Sequence, residues 1–454
     1  MEIEHTSLFT DAKAIMASGK TTANVSWEIV VHYDNSEDAE VLVPIHLQSV
    51  NIIRDYVGDF ADTVTVSMLM GLGDYAHLVY PNRVRLEVTL IQRQLQEGSG
   101  ELDNSAPQIS ERFKAILIDT QQAPTIAQGQ EHNSRHALNL TQVITVNFQL
   151  INKAVEQLRV QATGAIYRGV VPKDALTAII TNALGRVKVD DTRKILGVEV
   201  MDVDNLSKLE QLVIPHGTRV VDVPGIVQER YGVYNSGLGS YIQGSNWFVF
   251  PLYDTQVFNK RDATITLLIM PKRKFSNIER TFTVEDGSVT ALVTGQTGFQ
   301  DDSGTNTLNI GNGARFISAD NLMETPVSTG GNKARISRKS NNREFVAEQD
   351  APLNHVAFKD RRIASNPFPV YSELAAINGG MLRCVWQNSD ASLVQPGMSA
   401  KIIYVDGDDV KSIYGIVHRV SHVSHNLGAI GEPRYKGNTM LDIFVNGQIE
   451  LIDE

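Results

Sequence analysis

The sequence predicts a mainly β protein with an α+β middle. Three observations carry that reading: runs in which apolar and polar residues alternate, a single helical stripe, and loops rich in Gly, Ser, Thr and Asp between the runs. Over Arg83–Leu90, Val84, Leu86, Val88 and Leu90 alternate with Arg83, Arg85, Glu87 and Thr89, which predicts a strand with one buried and one wet face. Thr63–Met70 places Val64, Val66, Met68 and Met70 on one side. Val143–Leu150 does the same with Ile144, Val146, Phe148 and Leu150. Near the C-terminus, Ser412–Ser424 and Thr439–Val445 are β-rich runs.

The helical stripe lies in PKDALTAIITNALGR, 172–186, where Leu176, Ile179, Ile180, Ala183 and Leu184 share a face. Pro172 suits a first helical turn and Gly185 suits the exit. A second, weaker helical pattern lies around 204–213. The stretch 47–57, LQSVNIIRDYV, reads as either strand or short helix.

A chain of 454 residues with 42% hydrophobic content is long enough for several sizeable cores. A net charge of −11 argues against a general nucleic-acid coat, because phosphate binding needs a cationic face. Cys384 is the only cysteine, so no internal disulfide forms and no zinc site is built on several cysteines; synthesis in a reducing compartment fits. The segment MEIEHTSLFTDAKAIM has no basic region followed by an apolar core, so it is not read as a secretory signal. No window approaches the roughly 18 apolar residues of a membrane-spanning helix. A soluble protein made in a cytoplasm is expected.

Polar insertions stand out by composition at 96–110, 121–136 and 285–315. Residues 326–366 carry Lys333, Arg335, Arg338, Lys339, Arg343, Lys359, Arg361 and Arg362 with little apolar periodicity. They read as an exposed arm or long loop: a solvated linker, or a basic arm that grips an acidic partner surface.

Catalytic signatures are absent. There is no GxSxG elbow, no GxxxxGK[ST] phosphate loop and no HExxH. Cys384 sits in the largely apolar run MLRCVWQ and reads as a small buried residue. The densest titratable motif is HRVSHVSH, 418–425. On a strand, His418 and His422 share a face and His425 points the other way. A metal site would need a further ligand from elsewhere, and the plainer reading is a polar strand face at a subunit contact or in water. No metal or cofactor is expected. His132 and His136, in a polar loop, carry still less.

RYGVYNSGLGSYIQGSNWFVFPLYD, 230–254, concentrates Tyr231, Tyr234, Tyr241, Trp247, Phe248, Phe250 and Tyr253. Aromatics in a Gly/Ser/Asn frame suit a protein interface, a small core, or carbohydrate stacking. Finally, Leu78-Val79-Tyr80-Pro81 is echoed by Leu393-Val394-Gln395-Pro396, each followed by Asn82 or Gly397 and a strand-like run. Both are good turn chemistry. The three shared residues are compatible with chance or with one small β unit present twice.

Several of these segments resemble the central hub proteins of contractile phage tails, a family shared with the spike protein of type VI secretion. SIYGIVHRVSHVSHNL followed by TMLDIFVNG is similar to the last hairpin of such hubs, with Gly415, Val417, Val420 and His422 on the matching positions. LVQPGMSAKIIYV looks like the turn and strand before that hairpin. The aromatic segment looks like the place where a short helix leads into a hairpin, and the block DYVGDFADTVTVSM to VRLEVTL is similar to the first barrel. Residues 285–370 depart from the pattern.

The resemblance implies two tail-tube-like β-barrels plus insertions: a first barrel at 1–165, an α+β middle at 166–284, a polar insertion at 285–375 and a second barrel at 376–454. It implies a homotrimer with six barrels that joins a sixfold tail tube to a threefold spike in the virion baseplate. The implied partners are the tail tube or tube-initiator protein, the central spike and the wedge proteins. The genome passes through the channel without specific binding. Contact residues are expected at Tyr231, Tyr234, Tyr241, Trp247, Phe248, Pro396, Gly397, Arg335, Arg338 and Arg361. The alternatives are another tail component (tube initiator or wedge), a carbohydrate-binding β-sandwich module, and a peptidoglycan hydrolase, for which no motif speaks.

Overall fold

The computed structural model describes residues 2–20, 25–33, 41–95, 108–118, 143–189, 194–260, 263–270, 278–294, 297–300, 333–340, 343–350, 366–377, 379–406, 409–428 and 435–446. Its helices are α1 (Glu2–Ser18), α2 (Lys153–Val160), α3 (Pro172–Leu184), α4 (Val223–Tyr231) and α5 (Phe368–Ile377). The first strands are β1 (Val25–His32), β2 (Val41–Leu42), β3 (His46–Asp55), β4 (Thr63–Gly71), β5 (Glu87–Gln94), β6 (Ile109–Ile118) and β7 (Val143–Ile151). The middle holds β8 (Ala162–Val170), β9 (Gly197–Val200), β10 (Leu209–Arg219), β11 (Leu238–Gln243) and β12 (Asn246–Pro251). Then follow β13 (Thr264–Ile269), β14 (Phe282–Glu285), β15 (Ser288–Val293), β16 (Thr297–Gln300), β17 (Lys333–Ser340) and β18 (Arg343–Asp350). The chain closes with β19 (Gly379–Gln387), β20 (Ser399–Asp406), β21 (Asp409–Asn426) and β22 (Tyr435–Asn446). The protein is mainly β with an α+β middle, as the alternating runs predict.

The first unit is an antiparallel series β3-β4-β7-β6-β5-β1. Strand β21 then pairs with β3, β22 touches β1, and β21 pairs with β22, so the path through these strands returns on itself as a ring. Its core is the set the period-two pattern singles out: Val64, Val66, Met68 and Met70 from β4, with Val146, Phe148 and Leu150 from β7. The ambiguous stretch 47–57 is strand as far as Asp55, within β3, and turns at Tyr56 and Val57.

One strand begins later than the alternation predicts. Arg83, Val84 and Arg85 belong to the turn after Pro81, closed by the Arg85 amide donating to the Asn82 carbonyl. Val84 is 78% exposed, whereas Leu86 and Val88 are fully buried. The turn chemistry of Pro-Asn wins over the apolar period. Glu87, at the start of β5, is buried and held by Arg112 at 2.6 Å and by Lys153, which ties α2 to the ring.

The second unit is built on β19, β20, β21 and β22. Here β20 pairs with β21, β21 with β22, and β22 with β19, all antiparallel. It repeats the first unit's plan. In each, a first strand (β4 or β19) leads through a short helical turn and a proline turn to a second strand (β5 or β20). The third and fourth strands (β6 and β7, or β21 and β22) then meander back to lie beside the first, a Greek key. β3 flanks β4 as β16 flanks β19, antiparallel in both cases. The two Leu-Val-x-Pro segments occupy the same place in the two units, and Val79 and Val394 are both fully buried. The units differ at the other flank, where β1 runs antiparallel to β5 but β13 runs parallel to β20.

The middle packs α3 and α4 on the two-stranded ribbon β8–β10 and on the hairpin β11–β12, which β9 extends in parallel. α3 starts at Pro172 and buries Leu176, Ile179, Ile180 and Ala183, as its stripe predicts. The weak helical pattern at 204–213 is not a helix. Asn205 reaches the carbonyls of Tyr231 and Gly232, which fixes an irregular connection, and β10 then pairs with β8 from Leu209 onward.

α1, which the sequence does not announce, lays Leu8, Ala12 and Ile15 on Leu268, Met270, Ile278 and Leu292 of the second unit. Part of the basic arm is regular: β17 and β18 form an antiparallel hairpin. No helix among the described residues is long and apolar enough to cross a membrane.

The late start of β5 is testable by denaturant unfolding. Leu86→Ala is expected to cost about 2–5 kcal/mol, as buried Leu truncations do. Val84→Lys is expected to stay within about 0.5 kcal/mol of the parent.

Candidate functional site

The polar centre of the molecule is where the two β units and the middle meet. Arg54, at the end of β3, is buried, and its Nε lies 3.0 Å from Asp62 Oδ2. Its guanidinium also donates to the carbonyl of Ala391 in the second unit. Asp62 Oδ1 accepts from the Tyr241 hydroxyl at 3.1 Å, which brings in the hairpin β11–β12. Tyr56 donates to Gln243 Oε1 at 3.0 Å, and Gln243 Nε2 donates to the Val394 carbonyl at 2.8 Å. Burial pushes the Tyr56 and Tyr241 hydroxyls up from the usual phenol range, so both remain hydrogen-bond donors. One guanidinium, one carboxylate, two phenols and one amide thus lock three parts of the chain together.

The aromatic hairpin faces inward on both sides. Tyr241, Phe248 and Phe250 pack into the core of the second unit, and Ile242, Trp247 and Val249 into that of the middle. Trp247 is fully buried, its Nε1 donating to Ser240 Oγ at 2.8 Å, so neither ring face is open to a sugar. Tyr234 is also buried and donates to the Met201 carbonyl, while the half-buried Tyr231 accepts from the Val213 amide. The interface these residues make is internal. Pro396 and Gly397 are likewise buried. Gly397 has φ of 68°, and a Cβ there would lie 2.6 Å from the Phe250 ring, so glycine is required twice over. Arg335 and Arg338 lie on β17, where the register sets Arg335 opposite Glu348 and Arg338 opposite Phe345. Arg361 lies outside the described residues, as do His132 and His136.

His418 is the extra residue of a β-bulge, where the β21–β22 register shifts between Val417 and Arg419. Before the bulge β21 pairs with β20 of its own unit; after it, with β3 of the first unit. His418 Nε2 donates to the Leu252 carbonyl at 2.8 Å, and the ring stacks on Phe444. His422 shares hydrogen bonds with Thr439 and Ser424. The two imidazoles do not share the face that an unbroken strand period would give them: the bulge shifts the alternation, so His418 lies with Phe444 and Asp442 while His422 lies with Thr439 and Ser424. Both are buried, where the sequence suggested a face in water or at a subunit contact. Burial lowers each pKa to about 4. His425 is exposed. Among the described residues no group of three or more His, Cys, Asp or Glu is placed to hold a metal. Cys384 is buried, and burial pushes its thiol up to about 12.

Beside the lock lies a cavity of about 300 Å³, lined by Trp27, Arg54, Asp62, Gln149, Asn152 and His422 among others. The charged groups in its wall are already engaged: Arg54 with Asp62, Glu111 with Asn152, Asp390 with Ser392, and Arg159 over the Phe60 ring; so is the neutral His422, with Thr439 and Ser424. The sequence reading missed Arg54, Asp62 and Glu87. Arg54 carried a usable signal: a lone cation inside the apolar strand run VNIIRDYV is a buried charge in need of a partner.

No family model matches the chain, and no curated protein does. Among solved structures it is similar to the tail protein from Neisseria meningitidis MC58, at 10% identity over 92% of this chain and 96% of that one, TM-score 0.41. It is similar to the 43 kDa tail protein of prophage MuSo2 from Shewanella oneidensis, at 9% identity over 92% and 98%, TM-score 0.43. It is also similar to an E. coli protein that is a component of the type VI secretion system, at 8% identity over 89% and 74%, TM-score 0.36.

Two outcomes follow from the junction. Arg54→Ala leaves Asp62 without its cation and is expected to cost roughly 3 kcal/mol in urea unfolding, the low end for a broken buried pair. The histidines give a pH dependence of known sign. Above about pH 6.5 they are neutral folded and unfolded, and impose no penalty. Below it the unfolded chain takes up protons that the buried rings refuse until about pH 4. Stability is therefore lost as pH falls through that window, up to about 3 kcal/mol per ring. Thermal melting at pH 7, 6 and 5 should show a falling Tm already above the carboxylate range; a flat Tm would mean the rings titrate normally.

Proposed function

We propose that this chain is a structural virion protein, the baseplate hub of a contractile tail, joining a sixfold tail tube to a threefold spike. The observation that carries the reading is the doubled Greek-key unit. A chain with two equivalent β units turns three copies into six similar faces, which is what a junction between sixfold and threefold partners needs. Two further features support it. The units are fixed rigidly to each other by a shared ladder and a buried polar lock. The hub-like motifs of the C-terminal half fall on β20 to β22 and the turn before them, and the aromatic motif on the end of the helix α4 with the hairpin β11–β12. A scaffold of this kind acts through broad contacts and geometry, with no bond made or broken.

On this reading the partners are two further copies of the chain, the tail tube or its initiator, the central spike and the wedge proteins. The genome passes through the channel without sequence recognition, and the net charge of −11 opposes phosphate adhesion. Native mass spectrometry of the purified chain across a concentration series tests it. A trimer is expected. A hexamer would favour a tube-like ring component, and a strict monomer would overturn the self-assembling hub.

A further inference from the structure

We infer that the free edge of β6 in one copy pairs with the free edge of β16 in the next, repeating between copies the seam that joins the two units within one chain. The inference rests on the proposed ring assembly and names the strands that close it.

The intrachain seam supplies the template. The third strand of the second unit, β21, pairs with β20 over its first half, Asp409–Ile416. Its second half, Arg419–His425, runs past β20 and pairs antiparallel with β3, the strand that flanks β4 of the first unit. The donor is thus the far half of a third strand, and the acceptor is the strand flanking a first strand.

Each unit has both parts, but the chain uses one of each. The first unit's third strand is β6. It pairs with β5 only as far as Lys114, with one more hydrogen bond from the Ala115 amide to the Leu86 carbonyl. Ile116–Ile118 run on beyond β5, with β7 on one side and no ladder partner on the other among the described residues. The second unit's flanking strand is β16. It pairs with β19, and its other edge ends the sheet among the described residues. So the chain carries one spare donor on the first unit and one spare acceptor on the second.

The surface chemistry at the donor agrees. Ile116 and Ile118 are 41% and 38% exposed, and Val143, at the start of the neighbouring β7, is 52% exposed. An unpaired strand edge with apolar side chains invites another strand. The remaining run beyond Ala115 is three residues and β16 is four, so the lengths match. Donor and acceptor lie on different units, so the contact is heterologous, the kind that builds a ring when the rotation between copies closes.

Chemical cross-linking tests the register of copies. One preparation carries Ile118→Cys, a second carries Phe299→Cys, and a third is their equimolar mixture. All are treated with a short bismaleimide; the native Cys384 is buried and its thiol is protonated, so it does not compete. Covalent dimers in the mixture, in excess of either preparation alone, are expected. An oligomer that forms without this cross-link overturns the seam but leaves the ring assembly standing. A chain that stays monomeric overturns both. As a second measurement, Ile116→Glu with Ile118→Glu is expected to raise the concentration needed for assembly about tenfold or more. Val160→Glu, at an exposed apolar position elsewhere, is expected to leave it unchanged. Equal assembly by all three proteins would overturn the seam.

Discussion

The arrangement of the molecule depends on the buried pair of Arg54 and Asp62. Arg54 ends the strand that receives β21 from the second unit, and its guanidinium also reaches the Ala391 carbonyl of that unit. Asp62 precedes β4 and takes the hydroxyl of Tyr241 from the middle. A cation in this position is costly to desolvate, and the structure compensates by surrounding it with a carboxylate and a carbonyl. Such a pair adds little net stability over an apolar filling. It does penalise every arrangement in which the three parts are displaced, because each displacement leaves a buried charge without its partner.

The lock works alongside a continuous ladder. β21 has 18 residues and serves two units in succession, and the bulge at His418 is where it changes partner. The extra residue turns the strand without ending it, and its carbonyl accepts from the Tyr56 amide. His418 and Phe444 stack at this corner with Tyr253 against their edges. The imidazole provides what an apolar ring could not: a flat packing surface that also satisfies the Leu252 carbonyl. Its neutrality follows from the same burial.

The concentration of aromatics in the hairpin has a plain physical cause. β12 is buried along its whole length after Asn246, so both faces of the strand must be filled. Alternate residues serve two cores, and large rings fill two cores with few residues. A strand of this kind looks from sequence like a binding surface, because the composition that suits an external interface also suits an internal one.

How much of this was legible in the sequence depends on the range of the interaction. Strands β4 and β7, the helix α3 and the burial of Cys384 were set by local pattern, since a period of two or 3.6 decides which side of an element is apolar whatever it packs against. The repeated Leu-Val-x-Pro turn was visible, but its meaning was not: three shared residues became a duplicated unit only when the strand pairings gave both copies the same neighbours. Val84 fits its apolar period, yet a turn places it in solvent. The partner of Arg54 and the change of partner at His418 join residues from 8 positions apart, Arg54 and Asp62, to 364, Asp55 and Arg419, and the inward aim of Trp247 and Tyr241 is set by cores built from distant segments. The sequence by itself determined the strongly periodic elements, β4, β7 and α3, and which of their faces are apolar, because those follow from backbone geometry over a few residues. Only the tertiary structure decided which strand lies beside which, because hydrogen-bonding edges are chemically alike and are told apart by the packing that brings them together.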